Sequence, residues 1–170
     1  MKNKSAFTLI ETIIAITLIT VVLTAVTGLI LSTLLANQRN MHTLQANFLA
    51  QEGLEAVRYM RDSNWLQNYT WDEGGDLWGS DFDVSGEMYV SSKGCSEPAP
   101  CFELLTDPAA GLITLGNDFE FTRTLMFVPV YEEDGATIVD DTLQVTATVS
   151  WFERGATRSV ELSTFLTDWK

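Results

Sequence analysis

The chain has 170 residues, with 23 Asp and Glu set against 10 Lys and Arg and a single His, for a formal charge of −13. That length holds one modest domain plus an N-terminal segment. The acids are concentrated: residues 62 to 170 contain 20 of them and five basic side chains, a net of −15. This part repels phosphate backbones, so nucleic acid is not an expected partner.

From Thr12 to Ala36 the sequence runs 25 residues without a charge, rich in Ile, Leu, Val, Ala and Thr. At 1.5 Å per residue this predicts a helix of roughly 37 Å, long enough to cross a ~30 Å hydrocarbon core with some tilt. Such a helix satisfies its own backbone in lipid. Lys2 and Lys4 precede it and the acidic bulk follows, so the N-terminus is expected to stay cytoplasmic and residues beyond about 37 to be translocated. A cleaved secretory signal has an apolar region about half this length and ends in an A-x-A-like site, for which Leu35, Ala36 and Asn37 are at best a weak match.

Glu11 stands at the edge of the apolar run. A carboxylate near hydrocarbon is costly unless paired or protonated, and intramembrane acids mark functional contacts. Lys4 at the headgroup level is one partner. Were the chain cut between Ala6 and Phe7, the new α-amino group of Phe7 would be another, for its own Glu11 or for that of a neighbour.

The stretch "KNKSAFTLIE" followed by an apolar helix resembles the class III signal of type IV prepilins and type II secretion pseudopilins. The resemblance implies cleavage by a prepilin peptidase after Ala6, N-methylation of Phe7, and neutralisation of a neighbouring subunit's N-terminal amine by Glu11 during assembly. The family usually has Gly where this chain has Ala6, so slower cleavage is expected. "LAQEGLEAVRYMRDSNW" and "VSWFERGATRSVELSTFLTDW" are similar to PilV-type minor pilins, the pilus modification proteins.

Within the apolar helix, Thr17, Thr20, Thr24 and Thr27, followed by Gly28, share a face. Small residues there permit close helix packing; equally, each hydroxyl can bond to its own preceding turn. Gly28 is a point where the helix can bend. Residues 37–61 continue the helical period. Met41, Leu44 and Phe48, then Leu54, Val57 and Met60, are expected to face a globular domain. His42 reads as a surface residue.

Residues 62–86, rich in Gly, Asp and aromatics, read as a loop region. Phe119 to Tyr131, Thr142 to Trp151 and Arg158 to Leu166 alternate as strands, with Leu143, Val145, Ala147, Val149 and Trp151 on one face. The short connections "EEDGA" and "ERGA" predict an antiparallel meander, covered by the amphipathic half of the helix. Cys95 and Cys101, which enclose the five residues "SEPAP", are expected to form a disulfide in a translocated domain. Free thiols or a metal site are the alternatives.

The acidic groups Asp72, Glu73 and Asp76; Asp81 and Asp83; Glu132, Glu133 and Asp134; and Asp140 and Asp141 offer oxygens for Ca²⁺, but none matches the EF-hand ladder. Solvated loops are the default, and no cofactor is expected. No nucleophile triad, phosphate loop or metal set is present, so catalysis is not expected.

The sequence therefore predicts an α+β fold with a long N-terminal helix packed on an antiparallel sheet. Residues 1–6 would be the leader, 7–36 the transmembrane and filament-core helix, 37–61 its amphipathic continuation and 62–170 the extracytoplasmic domain. The resemblance implies a structural subunit of a type IV pilus or type II secretion-like filament, whose partners are other pilins, the prepilin peptidase, an assembly platform and its ATPase, and the membrane. The competing expectation is a single-pass membrane-anchored binding module, calcium-dependent or not, that never polymerises.

Overall fold

The structure is a computed structural model that describes residues 8–66, 86–92, 102–116, 119–132 and 138–167. It contains one helix, α1 (Leu9–Leu66), and six strands: β1 (Glu87–Ser92), β2 (Phe102–Leu105), β3 (Leu112–Leu115), β4 (Phe119–Tyr131), β5 (Ile138–Glu153) and β6 (Ala156–Thr167). A short 3₁₀ turn, Pro108–Gly111, leads into β3 and is capped by Asp107, whose side chain accepts from the Ala109 amide. The chain divides into two compact units, Met1–His42 and Thr43–Lys170, and α1 runs through the boundary.

In the second unit the helix packs on an antiparallel sheet, as its sequence predicts. The strand order is β2-β1-β4-β5-β6, with β3 also paired to β4. β4 is the hub. One of its edges carries β5 in register from Phe121 opposite Trp151 to Pro129 opposite Leu143; it also pairs with β3 at its start, Leu115 opposite Phe119, and with β1 further on, Met88 opposite Leu125. The register shifts between Pro129 and Tyr131, where proline has no N–H to give the ladder. Arg154 (φ 52°) and Gly155 (φ 83°) form the two-residue turn from β5 to β6, closing on the pair Glu153 and Ala156. Positive φ at both positions gives the turn the twist that a right-handed hairpin needs.

The core lies between residues 46–64 of α1 and the inward faces of β4 and β5. Phe121, Leu125, Phe127, Val145, Ala147 and Val149 from the strands, Leu166 from β6, and Ala46, Ala50 and Val57 from the helix are all essentially inaccessible to solvent. The inward row predicted for β5 is the buried one, with Leu143 packed at its margin.

Two expectations are corrected. The buried face of α1 includes Leu54, Val57 and Met60 as predicted, but ahead of them it is Ala46, Leu49, Ala50 and Gly53 that pack inward, while Met41, Leu44 and Phe48 are more than half exposed. Both sets satisfy a three-and-four spacing. The smaller side chains win because Ala and Gly bring the helix backbone close to β4. The helix also continues to Leu66, past the expected end at Arg61. Asn64 is buried, Trp65 packs against the core, and the Arg61 guanidinium lies 5.2 Å from the Trp65 ring centre. Those contacts outweigh the weak helix propensity of Asp62, Ser63 and Asn64.

β4 places one charge in the core. Arg123, between Phe121 and Leu125 on the inward face, is 3 % exposed. Its Nη1 donates to the Leu49 carbonyl oxygen at 3.0 Å and stands 3.4 Å from Glu52 Oε2. Burial lowers the pKa of the guanidinium, and Glu52 works in the opposite direction. A second tie joins α1 to β6. Arg58, paired with Glu55 one turn earlier, donates from Nη2 to Thr164 Oγ1 at 2.9 Å.

Candidate functional site

The residues expected to act in processing and assembly, Ala6, Phe7 and Glu11, belong to the first unit, as do the helix-packing threonines. Thr8 precedes the first helical residue, and its carbonyl oxygen accepts from the amides of Glu11 at 3.0 Å and Thr12 at 3.2 Å. Glu11 is the acidic residue of the first turn, where the partial positive charge of unpaired helix amides favours a carboxylate. Thr8 and Glu11 also have the Thr-x-x-Glu spacing of a capping box. That local explanation was readable in the sequence and is distinct from a role between subunits.

Beyond Glu11 the helix is uncharged as far as Arg39 and long and apolar enough to cross a membrane. Its large side chains are uncovered: Leu9 is 79 % exposed, and Ile13, Ile16, Leu18, Val21, Leu23 and Leu29 are each more than half exposed. The threonine hydroxyls turn back on their own helix. Thr17 donates to Ile14 O, Thr20 to Ile16 O, Thr24 to Val21 O and Thr27 to Leu23 O, at 2.8 to 2.9 Å. Each bond gives the hydroxyl a partner within its own helix. Gly28 has nothing within 4 Å of where a Cβ would stand, and α1 continues through it.

Ala6, Phe7, Cys95 and Cys101 lie outside the described residues, so the expected cleavage, methylation and disulfide positions carry no structural account. The acidic groups weighed for Ca²⁺ fall there too, except Glu132 and the backbone of Asp140 and Asp141. Among the described residues no group of three His, Cys, Asp or Glu side chains is placed to hold a metal ion.

Residues 1–27 match the family model of the Prokaryotic N-terminal methylation motif. The match spans Ala6, Phe7 and Glu11 and reaches Thr27 in the apolar helix. It supports the prepilin class and indicates a type IV pilin-like substrate of prepilin peptidase, and the N-terminal helix is long and apolar enough to serve as a membrane anchor. No curated protein and no solved structure matches the chain.

Proposed function

We propose that this chain is a structural, non-catalytic subunit, a minor pilin or pseudopilin, of a type IV pilus or type II secretion-like filament. One observation carries the reading. The methylation motif over residues 1–27 coincides with an uncovered apolar helix that has a single acid, Glu11, in its first turn. Prepilin peptidase would cut between Ala6 and Phe7 and methylate the new amine. Thr8 would then be the second residue of the mature chain, so its Phe7 amine would lie at the start of the same helix as Glu11. In a filament the neighbour's carboxylate would neutralise that amine as subunits leave the membrane. The similarity of "LAQEGLEAVRYMRDSNW" to PilV-type minor pilins favours a modifying over a bulk subunit, with an extracytoplasmic domain tuning adhesion, initiation or secretion.

Intact mass of the membrane-extracted protein, with and without co-expressed prepilin peptidase, tests the first step. Loss of residues 1–6 and gain of one methyl group is expected. An unprocessed chain beside a processed control substrate overturns the reading. The capping spacing of Thr8 and Glu11 favours a second reading, in which Glu11 merely secures its own helix in a membrane-anchored binding module. Glu11→Ala separates the two, because filament incorporation should fall sharply in the first case and membrane insertion alone should change in the second.

A further inference from the structure

The outward face of the sheet, turned away from residues 46–64 of α1, carries a groove of about 230 Å³ near the β5–β6 hairpin. The register puts its lining on one side of the sheet. Leu112 of β3 lies opposite Thr122 of β4, Thr122 opposite Ser150 of β5, and Phe152 of β5 opposite Thr157 of β6. Glu120, two residues before Thr122 on the same strand, shares that side. Leu112 and Phe152 are both exposed, so two apolar walls flank a polar floor. Two strand spacings, roughly 10 Å, separate β3 from β5.

The floor differs from the rest of this face in what its polar groups do. Further along, Thr146 and Ser163 bond to each other at 3.1 Å. The side chains of Glu120, Thr122, Ser150 and Thr157 make no hydrogen bond among the described residues. Three hydroxyls that donate and accept, beside a carboxylate that accepts twice, suit a ligand carrying several hydroxyls of its own. In solution such groups bond to water, which ligand hydroxyls replace in kind. Phe152 adds a π face whose negative centre attracts the polarised C–H bonds of a saturated ring. A cationic ligand would meet a single exposed carboxylate, Glu120, which solvent screens.

We propose that this groove binds one neutral pyranose ring, its C–H face on Phe152, its edge against Leu112 and its hydroxyls on Glu120, Thr122, Ser150 and Thr157. Glu120 accepts from adjacent sugar hydroxyls and repels a sugar that bears a carboxylate. The volume falls below the ~300–1,000 Å³ of drug-sized sites and sets the limit at one ring. A free monosaccharide and the terminal ring of a glycan offer the same chemistry. The site goes beyond the filament reading and stands whether or not the chain polymerises.

The test follows the Leu112 and Thr122 methyl resonances of the full chain, ¹³C-methyl-labelled, in micelles of a phosphocholine detergent that carries no sugar. Glucose, galactose, lactose, glucuronate and the open-chain polyol sorbitol are titrated in turn. A saturable shift with glucose or galactose supports the site; lactose shifting it as well assigns the ring to a glycan, and lactose failing assigns it to a free monosaccharide. Phe152→Ala should weaken the sugar about tenfold, and Glu120→Gln should weaken it about threefold while removing the discrimination against glucuronate. Both side chains are exposed, so near-UV circular dichroism should stay as in the parent chain. Phe165→Ala, an exposed aromatic at the other end of the same face, should leave the affinity unchanged. No saturable shift with either monosaccharide, an equal response to sorbitol, tighter binding of glucuronate, or unchanged affinity in folded Phe152→Ala overturns the proposal.

Discussion

Gly53 on α1 lies against Arg123 on β4 so closely that a Cβ at Gly53 would stand 3.0 Å from Arg123 Cδ and 3.5 Å from Leu125 Cδ2. A glycine inside a helix normally costs about 1 kcal/mol relative to alanine, so in an open position Gly→Ala would be stabilising. Here the neighbour that must yield is pinned through Nη1 to Leu49 O. Gly53→Ala is therefore expected to be destabilising by about 1 kcal/mol despite the propensity gain. Thermal unfolding followed by near-UV circular dichroism in micelles checks the sign, and a raised midpoint would show that Arg123 can move aside.

Gly111 is tighter still. A Cβ there would come within 2.3 Å of Tyr89 Cδ1 and 2.6 Å of the Arg123 carbonyl oxygen. The second contact is with the backbone of the hub strand, which has no rotamer to change. Gly111→Ala should cost about 3 kcal/mol, at the upper end of overpacking effects. Denaturant unfolding of the variant beside Gly53→Ala should rank it clearly lower.

The two apolar faces of α1 can be told apart by deletion. Leu49 is 8 % exposed and Phe48, its neighbour in sequence, 61 %. Leu49→Ala is expected to cost about 2 to 4 kcal/mol, as a buried leucine does, and Phe48→Ala to remain within about 0.5 kcal/mol. A larger loss for Phe48→Ala in unfolding measurements would restore the face that spacing alone suggested.

Tyr89 gives the domain an alkaline limit. Its phenol is buried on β1 and its hydroxyl donates to Glu87 Oε2 at 3.2 Å. Burial first, and then the bond and charge of Glu87, raise its pKa in the folded chain above the ordinary value of 10.0. The neutral form is favoured by folding, so its contribution is intact below pH 10 and is lost as pH rises through the raised folded value. The unfolding midpoint should fall with pH in that window, and less steeply in Tyr89→Phe.

Much of this architecture was legible because its repeats are long. Phe119–Tyr131 alternates over 13 residues, and the observed strand has those same ends. The apolar run after Glu11 is equally plain. β2 and β3 have four residues each, and β1 six, too short for a period to stand out between loops. Their place is decided by pairing to β1 and β4, which a local pattern does not contain. The wrong face of α1 at residues 41–48 has a related cause. A search for large apolar side chains passes over Ala46 and Ala50, whose value is the closeness they allow. Arg123 carries a signal of its own, a charge at an inward position of an alternating strand, although Phe121 and Leu125 on either side read as core.

The order in which the chain is made sets a timing problem for its assembly. The helical segment from Ala46 to Met60 is synthesised early, yet β4 begins only at Phe119 and Leu166, buried without exposure, sits near the end of β6. Until β4, β5 and β6 have emerged, the inward face of the helix has no complete sheet to lie on. The second unit must therefore complete its folding late, after its last strand is released, with the β5–β6 hairpin, closed by only Arg154 and Gly155, the contact quickest to form.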